Sequence, residues 1–267
     1  MVQKMKNIIK AQMYQIRHDS IVIMFLLFGL AFMAASILMN GLENGRGELS
    51  AGLFLAMAGG SFTFIAAVVF VVLVPRISGW DLSDKTINYE IMSGHARKEV
   101  YFGRVMVSLA WSLAGGMAIL FLPLLAVQVL FGWGNNMNIA DAIIRCVLAV
   151  FPLFRIACGF ILLTFLLKNC YMAMIIGWVW FAVTMIVNMC YQEFTGRMLT
   201  FQSGFTNLTY IFDFSNYKFE YIGGEDIPVY VTAVSPSMAA GTVVVSLLAG
   251  IICIAAGYVF FCRQDMD

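Results

Sequence analysis

A single charge, Arg155, lies well inside one of the long uncharged stretches of this chain. About 11 residues, or about 16 Å of helix, separate it from the start of its stretch near residue 144. On insertion scales an arginine at the centre of a bilayer costs about 2.5–3.5 kcal/mol, so it needs partners. No acidic residue occurs in any other apolar stretch, which leaves water, an amide such as Asn188, or backbone carbonyls. Pro152, one turn earlier, removes a helix hydrogen bond and frees a carbonyl a further turn back. Two readings of Arg155 are open: a group on a transport path, or a structural hydrogen bonder inside a bundle. Arg145 lies nearer the outer edge and is expected to snorkel there as an anchor.

Covalent chemistry has little to work with. His18 and His95 lack the Cys, His or acidic neighbours that a metal site needs. Cys146, Cys158, Cys170, Cys190, Cys253 and Cys262 fall in or at the ends of apolar stretches without a CxxC spacing, and read as small buried apolar residues. No Ser/His/Asp set shares a membrane depth, and neither paired acids nor a Ser/Lys pair occurs within the stretches, which argues against an intramembrane enzyme. No GxxxxGK[ST] phosphate loop is present, so the chain does not bind ATP in that manner. Asn207-Leu208-Thr209 fits a glycosylation sequon, a pattern that arises often by chance.

The elements that position these residues follow from composition. Hydrophobic residues make up 61% of the chain and charged ones 12%, about half the charge of a soluble domain. This is the composition of an integral membrane protein. Apolar runs at about 21–39, 51–74, 105–129, 144–167, 171–190 and 239–262 are each long enough to cross a core about 30 Å thick. They are continuously apolar rather than alternating, so helices are expected and a barrel is not. The expected fold is an all-α membrane protein with six transmembrane helices, forming one transmembrane domain over residues 1–267. The first 20 residues are basic and polar, without the apolar core of a signal peptide.

Orientation follows from Lys and Arg. Lys4, Lys6, Lys10, Arg17, Arg76, Lys85, Arg97, Lys98, Arg104, Lys168 and Arg263 fall on one side, and only Arg46, Arg197 and Lys218 on the other. Both termini are expected to be cytoplasmic. Residues 1–20 read as an interfacial helix, with Val2, Met5, Ile9, Met13 and Ile16 on one face and the basic residues around it. It serves either as an anchor alone or also as a contact for a cytoplasmic partner. A net charge of +1 makes no case for nucleic acid.

Between the second and third spans lies the segment 76–104. Pro75 and Gly79 are expected to mark the exit from the membrane. Asp81, Ser83 or Asp84 can cap a short helix running through Met92, and Gly94 can end it before a second helix starts near His95. Ile87, Ile91 and Met92 form an apolar cluster rimmed by charge, which suits either a docking surface or a resting place on lipid headgroups.

Four pieces of this segment, Asp84-Lys85-Thr86, Tyr89-Glu90-Ile91-Met92, Ser93-Gly94-His95 and Arg97-Lys98-Glu99-Val100-Tyr101, resemble the region after the second span in bacterial ATP-binding-cassette permeases of the type-2 family. Six spans, an N-in topology and the charged tail Cys262-Arg263-Gln264-Asp265 extend the resemblance over nearly the whole chain. The resemblance implies that the segment is a coupling helix seated in a separate nucleotide-binding subunit. Lys85, Thr86, Ile87, Tyr89, Glu90, Met92, His95 and Arg97 would contact that subunit, which would bind ATP and Mg²⁺ while this chain binds no cofactor. It further implies a second permease chain, identical or not, a bacterial cell membrane, and a cleft lined by spans two and five. Trp178, Phe181 and Asn188 then join Arg155 as candidate pathway residues. Ala56 and Gly60, and Ala249, Cys253 and Gly257, set small residues at four-residue steps for close helix packing.

The one long outer loop, 191–238, is rich in aromatics and is expected to hold short helices that dip into the outer leaflet. A small hairpin should follow at Tyr217–Tyr221, Gly223-Gly224 and Val229–Val231. Its aromatic residues suit a cap for releasing an amphipathic molecule, or a belt that seals the bundle. Branches of the resembling family export amphipathic peptide toxins or lantibiotics. The expected function is therefore export of amphipathic peptides, with lipid or drug export, or a non-transporting sensor or assembly subunit, as alternatives.

Overall fold

The computed structural model describes residues 2–43, 50–214, 217–222, 225–230 and 234–263. The helices are α1 (Val2–His18), α2 (Ser20–Glu43), α3 (Ala51–Ser83), α4 (Ile87–Met92), α5 (Arg97–Phe131), α6 (Ile139–Leu167), α7 (Cys170–Thr195), α8 (Gly204–Ile211) and α9 (Pro236–Arg263). Six of them, α2, α3, α5, α6, α7 and α9, are long and apolar enough to cross a membrane. The chain is an all-α, multi-pass membrane protein.

Local chemistry sets the helix ends. Ser50, Asn138 and Asn169 cap α3, α6 and α7 by accepting the amides of Leu53, of Ala140, and of Tyr171 and Met172, the usual use of short polar side chains at an N-terminus. Lys168 adopts a left-handed conformation (φ +52°), so α6 and α7 are joined by a turn of only two residues.

α3 is the central post. Its apolar window is 83% buried, against 17% for α2 and α9 and 22% for α7. The outer helices thus keep broad apolar faces for lipid or for other protein. α3 also departs from expectation at its end: the helix runs unbroken through Pro75 and Gly79 to Ser83. Neither residue breaks the helix. Pro75 is carried inside this long, largely buried helix. Gly79 is there for packing, because a Cβ at this position would collide with Thr164 Cγ2 of α6. At 33 residues α3 is about 50 Å long, and α5 at 35 residues is longer still, so both exceed a hydrocarbon core of about 30 Å.

α1 packs on α5. Its buried line is Ile8, Gln12 and Ile16, with Met5, Ile9 and Met13 half-buried beside it. A Cβ on Gly103 would lie 3.2 Å from Ile8, so glycine lets the two helices approach. The apolar face therefore meets protein, and is rotated slightly from the one read in the sequence. The side chain of Val2 lies outside the described residues.

β1 (Tyr217–Ile222) and β2 (Glu225–Tyr230) form the expected antiparallel hairpin, registered from Tyr217 opposite Tyr230 to Ile222 opposite Glu225. Gly223-Gly224, Val231, Arg46, Gln264-Asp265 and the surroundings of Gly60 fall outside the described residues. The Tyr230 amide donates to the Asn136 carbonyl, and Ser50 Oγ to Asn136 Oδ1. The hairpin, the start of α3 and the α5–α6 loop are thereby fastened together at the end opposite α4.

Candidate functional site

Two constellations carry the polar chemistry of the molecule, one at each end of the bundle. The first surrounds α4. None of Asp81, Ser83 and Asp84 caps this helix. Thr86 stands at its N-cap and makes no side-chain cap bond. The chain reverses instead at Lys85 (φ +56°). Ser83 ties α7 to α3, because its Oγ accepts the Cys170 amide at 2.9 Å. Gly94 ends α4 as expected, with φ +88° and its amide on the Ile91 carbonyl, a conformation that glycine adopts without strain. The next helix starts at Arg97, with the Glu99 carboxylate accepting the Ala96 amide at 3.3 Å.

Asp81 is the hub of this end. One carboxylate oxygen accepts from Gln15 of α1 at 2.9 Å and from Thr86 at 3.1 Å. The other receives Arg104 of α5 at 2.5 Å. The second nitrogen of Arg104 reaches Glu90 of α4 at 2.9 Å. The Arg104 side chain is 3% exposed, so one buried guanidinium joins the end of α3, α4 and α5. Nearby, Arg76 pairs with Asp19 at 2.7 Å and lies over the Trp80 ring at 3.5 Å, while Gln12 donates to the Ile77 carbonyl. Arg97 donates to the Cys262 carbonyl, bringing in α9. Both described ends of the chain thus lie at the α4 end.

This framework sorts the residues of the segment. Lys85, Thr86, Tyr89 and Met92 are exposed, Tyr89 at 73% and Met92 at 81%. Glu90, His95 and Arg97 are half-buried, with Glu90 held by Arg104. Ile87 is 2% exposed and belongs to the core, and Ile91 is partly buried against it. The apolar surface of the segment is therefore Tyr89 and Met92, not Ile87, Ile91 and Met92. Sequence reading passed over Arg104, Asp81 and Gln15 as a set. A signal was present: Tyr101, Arg104, Val105, Ser108 and Ser112 recur at three- and four-residue steps on one buried face of α5, and an arginine inside such a face needs buried anions.

The second constellation lies at the other end. After α7 the chain turns at Gly196 and descends along α6. The Leu199 amide donates to Asn188 Oδ1 at 2.8 Å. Arg155 donates to the carbonyls of Phe201 and Gln202 at 3.2 and 3.1 Å. Arg155 thus satisfies itself on carbonyls, but on those of an incoming segment rather than on one freed by Pro152. Ser203 then caps α8 by accepting the Thr206 amide. A Cβ on Gly204 would lie 2.9 Å from the Pro152 carbonyl oxygen, so this glycine lets α8 start against α6. Phe205, Leu208 and Ile211 of α8 are buried.

Arg145 also turns inward. It is 3% exposed, donates to the Ile211 carbonyl, and has its guanidinium 4.6 Å from the centre of the Phe214 ring. It does not snorkel to the membrane edge. A cation on the last carbonyl of α8 suits the negative end of that helix. Arg145 and Arg155 are about 15 Å apart along α6 and hold opposite ends of α8. Asn207 is fully buried and accepts a hydrogen bond from Thr242 of α9, which removes the sequon from use in the folded chain.

Three of the four residues named for a pathway converge on this segment. Arg155 and Asn188 fasten residues 199–202, and the Phe181 ring meets Phe205 edge-on at 5.0 Å. Trp178 packs against Phe181 at 6.1 Å and is 37% exposed. The six cysteines are free thiols, with Cys190 exposed rather than buried. Among the described residues no group of His, Cys, Asp and Glu is placed to hold a metal ion.

No protein-family model matches the chain, and no curated protein matches it.

Proposed function

We propose that this chain is the permease subunit of an ATP-driven exporter of the ATP-binding-cassette type, set in a bacterial plasma membrane with both termini in the cytosol. The observation that carries this reading is the build of the α4 end. A short helix exposes Tyr89 and Met92, and the turn leading into it Lys85 and Thr86, while its other side is bound through Glu90 and Arg104 into α3, α5 and α1. A handle so fastened suits the transfer of force from a partner. The partner is a nucleotide-binding subunit that holds ATP and Mg²⁺, and a second permease chain completes the assembly.

In this mechanism, closure of the ATPase pair shifts α4, and Arg104 passes the displacement to α3 and α5. The packed helices then switch between two arrangements, as rigid elements with bistable contacts do. The segment held by Arg155, Asn188 and Phe181 is the part of the outer end that rearranges to release cargo. The cargo is an amphipathic peptide, in keeping with the partly exposed aromatic Trp178 and the half-buried Phe181 beside this segment. The test is transport in inverted vesicles containing the chain, with and without its nucleotide-binding subunit. ATP-dependent uptake of an amphipathic peptide, absent without that subunit, is expected. Uptake of lipids or drugs only would change the cargo. No ATP-dependent movement from a complex that hydrolyses ATP would favour a sensor or assembly role.

A further inference from the structure

The half of α9 that leads to the cytosol in the reading above, with the start of α5, lines an apolar groove that has no part in the mechanism just described. Its volume is about 330 Å³, and Phe102 of α5 and Ile251, Ile254, Ala255, Tyr258 and Val259 of α9 line it. Phe102 and Tyr258 stack across it with ring centres 5.3 Å apart, which closes one wall. Two helical stripes feed the groove. On α9, Ile251, Ala255 and Val259 follow each other at four-residue steps, and the next step is Arg263. On α5, Phe102 and Met106 do the same, and the step before them is Lys98. These stripe residues are exposed, and so are the two cations.

An apolar trough with two cations about one turn beyond it, both at the same end, matches an amphipathic anion. We infer that the groove holds one acyl chain of an anionic phospholipid whose phosphate sits between Lys98 and Arg263. A neutral lipid would gain the trough but not the charge pairing. Attraction to anionic lipid is about fivefold in affinity per basic residue near the surface, so two residues give a preference of about 25-fold. The inference requires only that the chain sit in a bilayer, and it holds whatever the chain transports.

The experiment is native mass spectrometry of the full chain released from nanodiscs of equimolar phosphatidylglycerol and phosphatidylcholine. The wild-type chain is expected to retain phosphatidylglycerol adducts about 25-fold over phosphatidylcholine. Lys98→Gln with Arg263→Gln should bring the two adducts to parity. Ala255→Phe, at an exposed position in the groove lining, should lose both adducts with the cations intact. Equal retention by the wild-type chain would overturn the inference. So would a phosphatidylglycerol preference that survives the double substitution, or a groove occupied by a second copy of the chain.

Discussion

Replacing Arg104 with Gln is the sharpest perturbation available at the α4 end. The substitution removes the guanidinium that Asp81 and Glu90 share and leaves two carboxylates facing a neutral amide. The Asp81 arm is buried, with side-chain exposures of 3% and 14%, whereas Glu90 is 29% exposed. Breaking a buried pair by deleting one partner costs about 3–5 kcal/mol. The low end applies, because Gln15 and Thr86 still hold one oxygen of Asp81. About 3 kcal/mol is roughly a hundredfold in an opening equilibrium. Hydrogen exchange of the amides of residues 87–95, followed in nanodiscs, reads this directly. Those amides are expected to exchange about a hundredfold faster in Arg104→Gln, with α6 and α9 unchanged, and Glu90→Gln should give a smaller rise, about tenfold or less. Exchange within twofold of wild type in Arg104→Gln would refute the reasoning, since α4 would then be held by something other than its charges.

Further predictions concern other parts of the fold. Arg155→Ala removes two charge-assisted hydrogen bonds from residues 201 and 202, and transport should fall at least tenfold while the assembled complex purifies normally. Wild-type transport from the intact complex would mark Arg155 as structural only. Gly79→Ala forces a Cβ into Thr164, and an overpacked helix contact of this kind should lower stability by about 1–3 kcal/mol, visible as a fall in melting temperature. Met92→Glu alters an exposed residue, so stability should change by less than about 0.5 kcal/mol while recovery of the nucleotide-binding subunit drops.

Much of this architecture was legible in the residues, for physical reasons that also set the limits. A run of about 20 apolar residues has one way to satisfy its backbone in lipid, so all six long helices could be read directly. Gly94 and the hairpin strands were legible because turn chemistry is local. Pro75 and Gly79 do not interrupt the helix, because local breakers are overridden inside a helix as well buried as α3. Gly79 answers to Thr164, a residue far away in sequence. Arg145 was misplaced for the same reason: snorkelling is the default for a cation near a membrane edge, but here a returning segment brought the Ile211 carbonyl to it. Arg155 was seen to need a partner, with water, an amide and backbone carbonyls all open, and the carbonyls it takes begin 46 residues downstream. The Asp81–Arg104–Glu90 joint escaped notice because charges in a loop read as solvated until the three helices that bury them are known.

The claim on which the rest depends is that α4 delivers force from a nucleotide-binding subunit. A photo-crosslinking residue at Met92, exposed at 81%, tests it in the intact membrane. The account predicts an adduct with a subunit that carries a GxxxxGK[ST] loop, and an adduct yield that changes when ATP is trapped. A Met92 probe that joins only lipid, in a preparation where that subunit is present and active, would contradict it.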